Sequence, residues 1–198
     1  MKKIDLILAL VTGEGIALLF MWFLKKSGKE LGFLSFALAI IFPVLALIGI
    51  WLADLIGRKF LFVYQFAKFI LIGVLFALFD LVVLNSLLIY FGITAGVKYD
   101  IFVAISFIIA TIIKYAADKF WAFEKSEKEK MGTEFWSFFI VTLISGGIQV
   151  LIASLVVNNI GIHFGLTPLL WANVGKLSGI AVASIWNFLG YKFVVFKK

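Results

Sequence analysis

At 198 residues, with 64% hydrophobic side chains and a mean hydropathy of +1.14, the chain is too apolar for a soluble domain and reads as an integral membrane protein. It has no cysteine, which excludes disulfides and thiol chemistry and removes the best soft metal ligands. The net charge of +7 does not point to nucleic acid, because the lysines gather at the ends of apolar runs, a pattern that sets membrane orientation.

In chain order, six segments are long and apolar enough to span hydrocarbon: 5–24, 32–54, 64–91, 101–120, 135–157 and 167–190. The expected fold is therefore an all-α membrane protein of six transmembrane helices joined by short loops. Met1-Lys2-Lys3 before an apolar run mimics a signal peptide, but Glu14 interrupts that run and no small-x-small cleavage site follows. The segment is kept as a membrane helix. Pro43 falls inside the second span and is expected to kink it. Thr167-Pro168 predicts an N-cap with proline at the first helical position of the sixth.

Six spans put both termini on one side. That side collects Lys2, Lys3, Arg58, Lys59, Lys119, Lys125, Lys128, Lys130, Lys192, Lys197 and Lys198, eleven basic residues against four (Lys25, Lys26, Lys29, Lys98) opposite. The asymmetry predicts cytoplasmic termini in the cell membrane, although the Lys25-Lys26-Lys29 cluster opposes it locally. All six tryptophans fall near span ends, as interfacial anchors do. The run Glu124 to Lys130 alternates in sign and reads as a solvated cytoplasmic loop. His163, the single histidine, has no polar cluster around it and is expected in a loop facing solvent.

The last four spans contain an internal repeat. At an offset of 73, Ser106, Ala110, Lys114, Lys119, Phe120 and Phe123 align with Gly179, Ala183, Asn187, Lys192, Phe193 and Phe196. At an offset of 69, Phe66 and Phe69 align with Phe135 and Phe138, and Asp80 with Gln149. Each copy has two spans and so enters from the same face, which makes the repeat parallel. The small residues Gly175, Gly179 and Ala183, four apart, form a ridge on which another helix backbone can pack closely.

From about Tyr64 to Lys198 the chain resembles the GtrA-like proteins, four-helix membrane proteins implicated in moving polyprenyl-phosphate-linked sugars across a membrane. The resemblance is carried by Phe66-x-x-Phe69-x-x-x-Gly73, by Lys176 with Asn187-Phe188 eleven residues on, and by the ending Lys192-Phe193-Val194-Val195-Phe196. The first copy departs from the family's pattern, with Lys114-Tyr115 in place of Asn-Phe and Asp118-Lys119 where Asn-Arg is common. Residues 61–198 then form the GtrA-like domain, and 1–60 an accessory two-helix segment. The resemblance implies a flippase, or a flippase component, that serves the synthesis of surface polysaccharide or glycan.

Charges inside spans are costly, about 2.5–3.5 kcal/mol each on insertion scales, so those present are the candidate site. Asp80 lies about 21 Å along an outward span and Lys176 about 12 Å along an inward one, at 1.5 Å per residue. In a core of about 30 Å the two match in depth, which predicts that they meet. Lys68, Lys114, Lys119 and Lys192 are expected as a basic rim for the lipid phosphate. Asp80, Asn85, Gln149 and Asn187 are the expected partners of sugar hydroxyls. The two copies are expected to enclose a cavity open to the cytoplasmic leaflet.

The Walker pattern is absent, since Gly28-Lys29 is followed by Glu30, so movement would be downhill or ion-coupled, with Glu14 and Asp80 as the groups for proton coupling. No cofactor, metal or enzymatic constellation is expected. Two other readings fit the same residues: a non-catalytic platform for a polyprenyl-phosphate glycosyltransferase, and a small-solute exporter. Membrane lipids are the remaining expected partners, and an oligomer is compatible with the sequence.

Overall fold

The computed structural model describes residues 1–26, 30–123 and 131–195, with backbone alone at 131–135. The Glu124–Lys130 run, Lys29 and the closing Phe196-Lys197-Lys198 lie outside the described residues. Among the described residues there is no strand. Six helices are long and apolar enough to cross a membrane. They are α1 (Lys3–Lys26), α2 (Phe33–Gly57), α3 (Leu61–Phe91), α4 (Gly96–Ala117), α5 (Met131–Ser154) and α6 (Pro168–Gly190). The chain is a multi-pass membrane protein.

Three helices continue into a π-helical turn: α4 into Asp118–Ala122, α5 into Leu155–Ile160 and α6 into Tyr191–Val195. The first and third of these turns lie 73 residues apart at both ends, the offset of the sequence repeat. Outward-facing Phe120 and Phe193 and inward-facing Ala122 and Val195 hold corresponding places in them. At the start of α6, Thr167 accepts a hydrogen bond from the Leu170 amide through its side chain and Pro168 follows, as the sequence predicts. His163 is exposed in the preceding loop, its ring 5.7 Å from that of Trp171.

By its contacts the chain divides into two compact units, Met1–Val82 with Lys114–Glu124, and Val83–Ile113 with Lys125–Lys198. In the first unit α1 and α2 form an antiparallel hairpin. The N-terminal amine meets Asp54 at 3.1 Å near the end of α2, and Arg58 joins the same carboxylate at 3.6 Å. The hairpin closes tightly where a Cβ on Gly13 would come within 2.6 Å of the Pro43 Cα. Pro43 thus sits buried inside α2, where Gly13 of α1 passes close to it.

In the second unit α5 and α6 pack along their length through the small-residue ridge. A Cβ on Gly179 would lie 2.6 Å from the Gln149 carbonyl oxygen, and one on Gly175 3.0 Å from that of Ala153. No larger residue lets these backbones meet so closely. One apolar core gathers Leu84 and Leu88 from α3, Tyr99 and Val103 from α4, Ala153 on α5 and Trp171 from α6.

Candidate functional site

Each unit buries charge, and each does so differently. In the first, the start of α1, the start of α3 and the end of α4 come together around Asp5. One carboxylate oxygen of Asp5 accepts from Lys68 Nζ at 2.8 Å and Trp121 Nε1 at 2.9 Å. The other accepts from the Tyr64 hydroxyl at 2.8 Å. Beside this group Lys114 pairs with Asp118, one helical turn on, while its ammonium lies 4.4 Å from the Phe69 ring centroid. The π-helical turn follows from here, and in it Asp118, Lys119 and Trp121 are all buried. Such turns recur at functional sites, because the widened backbone turns side chains off the regular helical face.

Lys68 and Lys114, expected at an open rim, are therefore ion-paired to carboxylates. Lys119 is also buried, its ammonium 6.0 Å from the Tyr115 ring. The physical reason is that an ammonium at this depth does better with a carboxylate or an aromatic face than in hydrocarbon. Glu14 is half-buried on α1 and has no ion-pair or hydrogen-bond partner among the described residues. An apolar groove of about 310 Å³ lies between α1, α2 and α3, lined by Ile16, Phe42, Ala46, Ile50, Ile70 and Val74 among others. It suits hydrocarbon and offers sugar hydroxyls nothing.

In the second unit Lys176 is completely buried on α6, donating to the Val103 carbonyl at 3.2 Å and to Ser106 Oγ at 3.0 Å. Asn85 and Asn173 exchange amide hydrogen bonds of 2.7 and 2.9 Å between α3 and α6. Gln149 is buried on α5. Toward the start of α4, Asp100 accepts from Ser154 Oγ at 3.1 Å and from the Asn158 amide, whose own oxygen accepts from the Gly96 backbone N–H at 2.8 Å. At the far end of α6, Asn187 is half-buried, and its side-chain oxygen accepts no hydrogen bond from any described residue. Lys192 is half-buried about 6 Å from the rings of Phe188 and Phe193. Asp80 is buried on the part of α3 that belongs to the first unit, whereas Lys176 belongs to the second. No group of His, Asp or Glu able to hold a metal occurs among the described residues.

Compared with known families, residues 68–196 match the one described as GtrA/DPMS, transmembrane domain. The chain belongs to the GtrA/DPMS family. No curated protein and no solved structure matches it. The GtrA/DPMS match opens at Lys68 and closes at Phe196, so it takes in Lys114, Lys119, Lys176, Asn187 and Lys192 and leaves α1 and α2 outside. Membership makes the chain a membrane protein involved in handling polyprenol-linked sugars. The partners of its buried lysines were the part hidden from the sequence. Asp118 stands four residues after Lys114, a spacing that does signal a helical pair. Asp5 gives no such signal, since its side-chain partners are 59 to 116 residues away.

Proposed function

We propose that this GtrA/DPMS protein moves polyprenyl-phosphate-linked sugars across the cytoplasmic membrane, as a flippase or a component of one, with both termini in the cytoplasm. On this reading it is not itself an enzyme. The observation that carries it is the set of buried lysines on membrane-spanning helices of a family that handles such lipids. Lys68 and Lys119 are buried and Lys114 half-buried at one end of the first unit, and Lys176 lies inside the second. Cations inside a bilayer are expensive and persist chiefly along substrate paths or in pairs. In this proposal the lysines receive the phosphate, Asp80, Gln149 and Asn187 face the sugar, and the isoprenoid stays in lipid. Movement is downhill or coupled to protons through Glu14 or Asp80.

Native mass spectrometry of gently extracted protein tests this reading. A co-purifying polyprenyl-phosphate sugar supports it. A bound glycosyltransferase with no lipid would instead make the protein a membrane platform for that enzyme.

A further inference from the structure

Asp5 is the focus of several convergent donors. Its two oxygens accept four donors: Lys68 Nζ at 2.8 Å, Trp121 Nε1 at 2.9 Å, the Tyr64 hydroxyl at 2.8 Å and the Lys2 backbone N–H at 3.3 Å. The Lys68 ammonium also lies 4.3 Å from the Tyr64 ring centroid. Asp5 is 1% exposed, and so is Lys68. Three of these donors come from α3 and from the π-helical turn after α4, while the carboxylate comes from α1. Lys68 and Trp121 fall within the family-matched segment, and Asp5 lies outside it. A core of donors is thus closed by an acid from an added helix.

Convergent N–H and O–H donors around an ammonium are what the oxygens of a phosphate require, since charge-assisted hydrogen bonds are the strong ones. A carboxylate satisfies the same donors with two oxygens. We propose that Tyr64, Lys68 and Trp121 form a binding site for the phosphate of a phosphorylated ligand, and that Asp5 occupies it as an internal stand-in, which makes the start of α1 a displaceable plug. The exchange keeps Lys68 opposite an anion throughout, so the buried cation is never left alone, the state that costs most. This deepens the proposed function and rests on it for the lipid nature of the ligand, though not for the existence of the anion site.

The test compares wild type, Asp5→Ala, Asp5→Asn and Asp5→Ala/Lys68→Met in detergent, reading thermal unfolding against a polyprenyl monophosphate, inorganic phosphate and matched chloride. Asp5→Ala should unfold below wild type and be restored by the polyprenyl monophosphate, at a concentration about tenfold lower than any that shifts wild type, because the plug taxes apparent affinity. Asp5→Asn should respond in the same way if Asp5→Ala cannot be purified. The Asp5→Ala/Lys68→Met protein should show no response.

A shift with polyprenyl monophosphate alone assigns the site to a lipid, and an equal shift with inorganic phosphate assigns it to a free phosphate. Either result supports the site. Asp5 variants that respond no more than wild type, or no more than the double variant, would overturn it and leave Asp5 as a structural tie. Wild-type vesicles that fail to move a lipid-linked sugar, while Asp5→Ala binds the polyprenyl monophosphate, would sink the transport reading and leave the site standing.

Discussion

Lys176 donates a 3.2 Å hydrogen bond to the carbonyl of Val103, the residue 73 positions before it and its counterpart in the sequence repeat. One turn away the Tyr99 hydroxyl donates at 2.8 Å to the carbonyl of Ala172, again 73 positions apart. Contacts at two corresponding heights require α4 and α6 to run the same way through the second unit. Gly175 keeps this junction tight, since a Cβ there would stand 3.1 Å from the Tyr99 hydroxyl oxygen.

On the proposed function, Lys176 serves function more than stability. Burying an ammonium costs on the order of several kcal/mol in desolvation, a cost that an apolar side chain of similar length does not carry. Lys176→Met should accordingly keep or raise the unfolding temperature while abolishing movement of the lipid-linked sugar. A large drop in stability with transport retained would make the lysine a packing element.

The ridge gives a prediction with its own control. Gly179→Ala pushes a Cβ against the Gln149 backbone and should cost about 1–3 kcal/mol. Gly147, on α5, has nothing within 4 Å of its built Cβ, so Gly147→Ala should be neutral or mildly stabilising. Unfolding of the two variants side by side decides it. Equal effects would mean that the α5–α6 approach is looser than described.

The reciprocal Asn85–Asn173 amide pair should behave as one interaction. Asn85→Ala and Asn173→Ala each leave a buried amide short of a partner, so each should destabilise, and the double variant should fall short of their sum. Interhelical hydrogen bonds in membranes average about 0.6 kcal/mol and reach about 1.7. A double-mutant cycle that gives no coupling would show that water or lipid replaces the partner freely.

Much of this architecture was legible in the sequence. The six spans, the Thr167-Pro168 helix start and the close-packing face of Gly175 and Gly179 all follow from local rules of length, capping and small-residue spacing. The π-helical turns were not legible, because no residue type specifies them and tertiary packing imposes them. Nor was the company of Lys68. Asp5 follows Lys2 and Lys3 and resembles an interfacial charge, and only folding brings it beside α3 and the end of α4. The carboxylates that balance Lys68 and Lys114 were therefore not read as their partners.

The orientation predicted from the eleven-to-four asymmetry is open to a direct check in a chain without cysteine. Single cysteines placed at 93–98 or 158–165 should react with an impermeant reagent applied to intact cells, and those at 124–130 should not. Labelling confined to 124–130 would invert the topology.

Transport by purified protein in vesicles bears most directly on the central claim. Wild-type protein reconstituted with a fluorescent polyprenyl-phosphate sugar should carry it between leaflets faster than empty vesicles do. Lys119→Gln/Lys192→Gln should weaken binding, and Asp80→Asn should impair movement with phosphate binding largely kept. Wild-type movement no faster than in empty vesicles, together with tight binding of a glycosyltransferase, would contradict the account.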